Sequence, residues 1–200
     1  KQPKYLARAE KAADYTLKKF LSPENPRPRF AEDYTMLTQS FLDLYNVTGA
    51  AKWLTLALDL QTRLDEELWD SQEGGYWDGP EDPNLFMRMK SSDEASEFAP
   101  NATGASNLVR LARITGNNQF MQRAAAIFQL VAGRASANPL AAVTASGPAT
   151  HVRVLSAYDQ FSRSGLQFII NGPETDPLVQ ELRTTLLDHY RKHDCILSLN

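Results

Sequence analysis

The chain has 200 residues, 42% of them hydrophobic, with 21 basic and 24 acidic side chains and a net charge of −3. That length buries a full core in one domain with room for an appendage, and the charges form neither a basic stripe for nucleic acid nor a basic amphipathic helix for a membrane surface. No apolar run reaches the roughly 20 residues of a transmembrane helix, and the single cysteine, Cys195, excludes an internal disulfide or a cysteine-based zinc cluster. Nothing at the start resembles a signal peptide, so a reducing, cytoplasmic setting is expected. The missing initiator Met and the apolar Cys195-Ile196-Leu197 near the end predict a fragment of a longer protein.

In chain order, Leu6, Ala9, Ala13, Leu17 and Phe20 recur at helical spacing and predict an amphipathic helix over 4–21. Ser22-Pro23 stops it, and a Pro-rich loop runs to Pro28. A second helix is expected from Glu32 to Thr48, with Tyr34, Leu37, Phe41, Leu44 and Tyr45 inward and Gly49 as its left-handed stop. A third runs from Ala51 to Trp69 on Trp53, Ala57, Leu60 and Leu64, with Arg63 pairing Glu66 and Glu67 outside. Residues 70–101 break the pattern; Gly74–Gly79 and Leu85–Lys90 alternate like short strands. Helices resume over Asn101–Gly116, Asn118–Gly133 and Pro148–Phe161. The tail reads as strand Leu166–Ile170, helix Asp176–Lys192 and strand Ile196–Leu199, a unit that implies a parallel pair.

Two stretches nearly coincide. Phe41 to Gly49, then Trp53-Leu54 and Ala57, matches Leu108 to Gly116, then Phe120-Met121 and Ala124, at a constant offset of 67 residues. Tyr5-Leu6-x-x-Ala9 repeats the second half of the pattern. Such self-similarity marks a helical array whose units bury their apolar faces on one another. The expected fold is all-α: about three helical hairpins of an α/α toroid over 1–163, and a strand–helix–strand tail over 164–200.

The hairpin repeat, the Glu32-Asp33-Tyr34 helix start, the Gly74-Gly75-Tyr76 turn and the run from Arg88-x-Lys90 through Glu97 to Asn101 together resemble one family, the spermatogenesis-associated thioredoxin-domain proteins. The resemblance covers almost the whole chain and the C-terminal part of the family's length. It implies a six-hairpin toroid similar to that of glycosidases and N-acylglucosamine 2-epimerases, a preceding thioredoxin-like domain, and a tail like residues 165–199. Family members usually show an Asp near the position of Glu94 and then Glu-Pro-Ser-x-Asn. Glu97 and Asn101 match, whereas Phe98 and Ala99 stand where Pro and Ser are usual. No Cys-x-x-Cys is present, so thioredoxin chemistry does not reside in these residues.

The repeat offset sets Tyr34 against Asn101 and Asp33 against Pro100, so these residues fall at the starts of equivalent helices. The segment carrying Arg88, Lys90, Glu94 and Glu97 leads into the same end. Helix N-termini offer free N–H groups and partial positive charge, which suit a hydroxyl-rich ligand. Asp33 with Glu97 is the candidate catalytic pair, since glycoside hydrolysis needs two carboxyls about 5–9.5 Å apart. Tyr34, Arg88, Lys90, Glu94 and Asn101 are the candidate ligand-binding set. Each has a plainer role beside that one: Asp33 and Asn101 as N-caps worth about 1 kcal/mol, Tyr34 as core, Arg88 and Lys90 as a solvated strand face.

Other patterns carry less. Epimerase chemistry would lean on histidines, and His151, His189 and His193 sit in or near helices with no supporting motif. His189 and His193 are spaced to share a zinc but lack the following Glu, so no metal is expected. Asp70-x-Gln72-x-Gly74 with Glu81 fails as a calcium loop, because Pro80 forbids the exit helix. Two Asn-x-Thr matches, at Asn46 and Asn101, read as chance, and no Gly-rich phosphate loop implies a cofactor. Two functions remain open. One is a non-catalytic or formerly catalytic toroid module that binds a polar, carbohydrate-like ligand and partners a thioredoxin-like domain. The other is a carbohydrate-active enzyme, glycoside hydrolase-like rather than epimerase-like. The open edge of a half toroid predicts a partner domain or self-association.

Overall fold

A computed structural model describes residues 3–20, 29–91, 99–133, 152–191 and 193–199. The periodic apolar runs become helices α1 (Pro3–Phe20), α2 (Ala31–Thr48), α3 (Ala51–Leu68), α4 (Pro100–Thr115), α5 (Asn118–Ala132) and α6 (Val152–Ser162). The tail forms β1 (Gln167–Asn171), α7 (Pro177–Asp188) and β2 (Cys195–Leu199). Among the described residues this is an all-α fold with a small strand appendage. The loop expected over 22–28 and the first turn expected for α6, residues 148–151, lie outside the described residues.

Two hairpins repeat, and their joints show why the sequence repeats there. Gly49 and Gly116 end α2 and α4 at φ +79° and +71°, their N–H groups donating to Tyr45 O and Ala112 O. Only glycine takes this left-handed conformation without strain. Before each glycine, a threonine hydroxyl holds the last turn. Thr48 Oγ1 donates to Leu44 O at 2.7 Å and accepts from Ala50 N–H at 3.1 Å. Thr115 does the same with Leu111 O at 2.7 Å and Asn117 N–H at 3.2 Å. The Thr-Gly pair is therefore a joint that returns the chain antiparallel within two residues.

Within the first hairpin, Phe41 of α2 stacks on Trp53 of α3 with ring centroids 5.7 Å apart, and Ala57 beneath is fully buried. Fully burying a large apolar side chain contributes roughly 1.5–3 kcal/mol. α4 is the central element: it packs against α2, α5 and α6, and buries Leu108, Val109 and Leu111 without exposed surface. Of the stripe expected on α1, Ala13 is buried and Leu6 and Leu17 pack on the core, but Ala9 is exposed. The Phe20 side chain lies outside the description. Arg63 pairs with Asp59 at 3.0 Å, one turn back, instead of with Glu66 and Glu67.

The short strands expected after α3 do not form among the described residues; one antiparallel bridge, Trp69 to Tyr76, is all the pairing there. Gly74 and Gly75 both take left-handed φ, +76° and +78°, which coils the chain where a strand needs extension. Pro80 and Pro83 also lack N–H donors for a ladder.

The tail pairs β1 with β2 in parallel, Gln167 opposite Cys195 through Asn171 opposite Leu199. Ile170, Val179 and Ile196 form its own small core. α7 begins under the N-cap Asp176, whose carboxylate accepts the Leu178 N–H at 2.8 Å. It stops at Asp188, short of the expected Lys192, because Asp194 accepts the Arg191 N–H and turns the chain toward β2. Arginines fasten the tail to the body. Arg183 donates to Asn46 O at 3.2 Å and to Ser198 Oγ, while Arg113 donates to the carbonyls of His193, Gln160 and Arg163.

Candidate functional site

The starts of α2 and α4 share one end of the array, and the segment 69–91 lies across both. Neither helix has a polar N-cap; Phe30 and Ala99 occupy those positions without side-chain bonds. The segment's backbone does the capping instead. Ala31 N–H donates to Asp78 O at 2.9 Å, and Asn101 N–H to Ser91 O at 3.4 Å. This corrects the expectation that Asp33 and Asn101 cap their helices.

Asn101 is fully buried and acts as a clamp. Its Oδ1 accepts the Tyr76 N–H at 2.7 Å, and its Nδ2 donates to Tyr76 O at 2.9 Å and Ser91 O at 3.1 Å. One amide thus mimics a strand partner for Tyr76, which is a second reason no strand is needed here. Tyr34 is also fully buried, and its hydroxyl donates to Glu67 Oε2 at 2.9 Å, tying α2 to α3. Asp33 lies exposed in the first turn of α2, where a carboxylate favours the helix dipole.

The two cations are not a solvated face. Lys90 Nζ reaches Asp70 Oδ2 at 2.5 Å and Gly74 O at 2.9 Å, with both side chains below a tenth exposed. That pair holds the Asp70 carboxyl below its usual range, with the Gln72 and Glu73 N–H groups adding to it. It also supplies the cation that a calcium loop at Asp70 would have required. Arg88 donates twice to Gly79 O, at 2.9 and 3.3 Å, and approaches Glu81 at 3.6 Å. Lys90 and Arg88 both lie over the Trp77 ring, at 4.4 and 4.8 Å from its centre, a favourable contact for each. Ser91 closes the segment, its N–H and Oγ donating to the Asp78 carboxylate at 2.7 and 2.6 Å. Glu94, Glu97 and His151 lie outside the described residues.

A second polar cluster has no counterpart in the sequence reading. Asp65 of α3 accepts from the Tyr76 hydroxyl at 2.7 Å, from Gln61 Nε2 at 2.9 Å, and from Arg123 of α5. Burial pushes its carboxyl above the usual value, although Tyr76, Arg123 and Gln61 all pull the other way. Burial likewise pushes the Tyr76 phenol well up, with the Asp65 charge adding to it. Asp65 and Arg123 stand 58 residues apart, so no local spacing could have joined them. Gln61-x-x-x-Asp65, one helical turn, was the single local signal.

A cleft of about 340 Å³, counting space open to solvent, lies at the opposite end of α2 and α4, lined by Tyr45, Arg110, Arg113, Tyr190 and Cys195 among others. It is remote from the candidate mouth, and Arg110 there is paired with Asp43 at 2.8 Å. Burial pushes the Cys195 thiol up to about 11, which makes it a poor nucleophile at neutral pH. His193 contacts Asp159 at 3.2 Å and His189 bonds Thr185 O at 2.9 Å, so the two histidines point to separate partners. Among the described residues, no three His, Cys, Asp or Glu side chains are grouped to hold a metal, and no helix is long and apolar enough to cross a membrane.

Fold and site together define a helical-hairpin protein with a small α/β appendage, whose polar end is bonded to itself. In sequence it is homologous to spermatogenesis-associated protein 20. The human protein is 32% identical over 157 residues, 76% of this chain and 19% of its own length. The rat protein is 31% identical over 159 residues, 78% of this chain and 19% of its own. An uncharacterized Caenorhabditis elegans protein is 24% identical over 204 aligned positions, covering 92% of this chain and 26% of its own length. The chain thus spans about a fifth to a quarter of the curated relatives it matches. No family model matches the chain.

Proposed function

We propose that this chain is a non-catalytic or formerly catalytic module of a helical-hairpin toroid that acts as a scaffold, partnering a thioredoxin-like domain in a reducing cytosol. One observation carries the reading. Tyr34, Arg88, Lys90 and Asn101, the polar groups placed to meet a ligand at the helix starts, hydrogen-bond within the chain instead. Recruiting the Tyr34 hydroxyl or the Asn101 amide to a sugar would break bonds already made in a fully buried setting, leaving a group unsatisfied. The thioredoxin-like partner rests on the family resemblance. A carbohydrate-like ligand, or hydrolysis by Asp33 with Glu97, is the competing reading; the exposed position of Asp33 favours it.

Thermal melting against a panel of mono- and disaccharides, with Asp33→Ala alongside, separates the two. A ligand at 100 times its Kd adds about 2.7 kcal/mol, a shift of several degrees in a domain of this size. The scaffold reading expects no shift with any sugar. A shift with one sugar, abolished by Asp33→Ala, would replace it with the ligand-binding reading.

A further inference from the structure

The tail leaves one sheet edge and one helix flank open. β2 is the strand that meets α2 and α4, so β1 is the outer strand of the pair, and among the described residues no third strand joins it. In the parallel ladder Leu166 O accepts the Cys195 N–H at 2.9 Å, and the Gly172 N–H donates to Leu199 O at 3.0 Å. Backbone groups alternate sides along a strand, so Phe168 and Ile170 turn theirs to β2, while Gln167, Ile169 and Asn171 turn theirs to the open edge. Phe168 and Ile170 pack under α7 with Val179 and Leu186. Ile169, on the opposite face, is 59% exposed. At about 100° per residue, Leu178 and Leu182 lie on the flank of α7 away from Arg183, whose bonds to Asn46 O and Ser198 Oγ mark the side facing the body. These two leucines are 60% and 47% exposed, and because α7 packs on β1 they stand beside the open edge.

The geometry points to β1 and α7 as a self-association surface: two copies of the chain pair edge to edge, β1 antiparallel to β1, in a four-stranded sheet with both α7 helices on one face. The backbone says what kind of group fits, since outward N–H and C=O groups on every second residue are matched by another strand. The side chains say which strand. About a two-fold axis at Ile169, the middle residue of β1, Ile169 faces its own counterpart as a hydrogen-bonded pair, Gln167 faces Asn171, and Phe168 faces Ile170. That sets amide against amide and aromatic against β-branched, both favourable across strands. The same axis brings the Leu178–Leu182 flanks of the two α7 helices together, so the apolar surface continues from sheet to helix. β1 carries none of the charges or prolines that guard an exposed edge strand, and Leu178 and Leu182 add no charge that would repel across the axis. The surface lies on the tail, apart from the helical array, and involves neither a sugar nor a thioredoxin-like domain.

Sedimentation equilibrium over a rising concentration series tests this, and the parent is expected to dimerise reversibly. Ile169→Lys sets like charges opposite each other at the axis, as does Ile169→Glu, so each variant alone should associate at least about tenfold more weakly. Mixed one to one, the two set Lys against Glu and should recover association, which a variant that had failed to fold could not do. Amide exchange reads the register. Rising concentration should slow the Ile169 and Asn171 N–H groups more than those of Phe168 and Ile170, which already bond to β2. A parent that stays monomeric throughout the series would overturn the proposal. So would a dimer that either variant leaves intact, or a mixture no more associated than its parts.

Discussion

Asn101→Ala is the sharpest test of what the helix starts are for. The native amide satisfies three backbone groups, the N–H and C=O of Tyr76 and the C=O of Ser91. Truncation leaves them without that partner. Two of the three bonds are buried, and each buried group left unsatisfied costs about 1–3 kcal/mol. Allowing water to reach the less buried Ser91 carbonyl, the expected loss is about 3–5 kcal/mol, a large share of the 5–15 kcal/mol typical of a domain. In a chain of this size that lowers the melting midpoint by on the order of 10 °C. Asn101→Asp, although the same shape, should be no better, since it sets a carboxylate oxygen against two carbonyls. Urea denaturation followed by circular dichroism reads both variants. If either lies within about 1 kcal/mol of the parent, the clamp is not structural and the assignment of Asn101 fails.

Further outcomes follow from the same contacts. Asp70 is depressed by Lys90, so its contribution is full above the unfolded carboxyl value of 3.8 and is lost as pH falls through its folded value. Urea midpoints across the acid range should therefore fall less steeply in Lys90→Met than in the parent, and identical slopes would contradict the pair's role. Asp65 has the opposite sign. Raised by burial, it favours the fold most at low pH, and that contribution is lost as pH rises above 3.8 through its folded value. Asp65→Asn removes this dependence, so the parent's stability relative to the variant should decline from pH 4 to pH 7. Arg113→Ala removes the bond to His193 O that fastens the tail to α4, together with the bonds to Gln160 O and Arg163 O at the end of α6. Cys195, buried in the parent with its thiol pushed up to about 11, should then label with a thiol reagent at pH 8 at least several-fold faster than in the parent, and unchanged labelling would mean that the tail is held elsewhere.

The joints were legible because their causes are local. Thr-Gly followed within five residues by an aromatic encodes a hydroxyl bond, a left-handed residue and a restart, all inside one turn, so the repeat appears in sequence as it does in space. The tail was legible for the same reason: Asp176-Pro177 is a cap and first-turn pair, and the apolar runs on either side leave a parallel pair as the economical pairing. The polar end was not. That Asn101 serves Tyr76, 25 residues away, and that Lys90 serves Asp70, 20 residues away, depends on how the segment folds back. A polar residue near a helix start looks the same in sequence whether it caps, binds or clamps. Alternation misled over 74–79 because Tyr76 and Trp77 follow two left-handed glycines, and a period of two says nothing about φ. The α1 stripe misled at Ala9, which is exposed, because the helix turns the neighbouring residues Leu6, Ala13 and Leu17 to the core instead.

The side-chain amide of Asn101 reports most directly on whether the polar end is closed on itself. Its two Nδ2 protons can be followed by ¹⁵N-resolved NMR, assigned by their loss in Asn101→Ala at low temperature. Bonded to Tyr76 O and Ser91 O in a fully buried site, they should exchange slowly with solvent and keep their shifts when saturating mono- or disaccharide is added. Rapid exchange, or a shift that titrates with a sugar, would show that the amide is available to a ligand and would contradict the scaffold account.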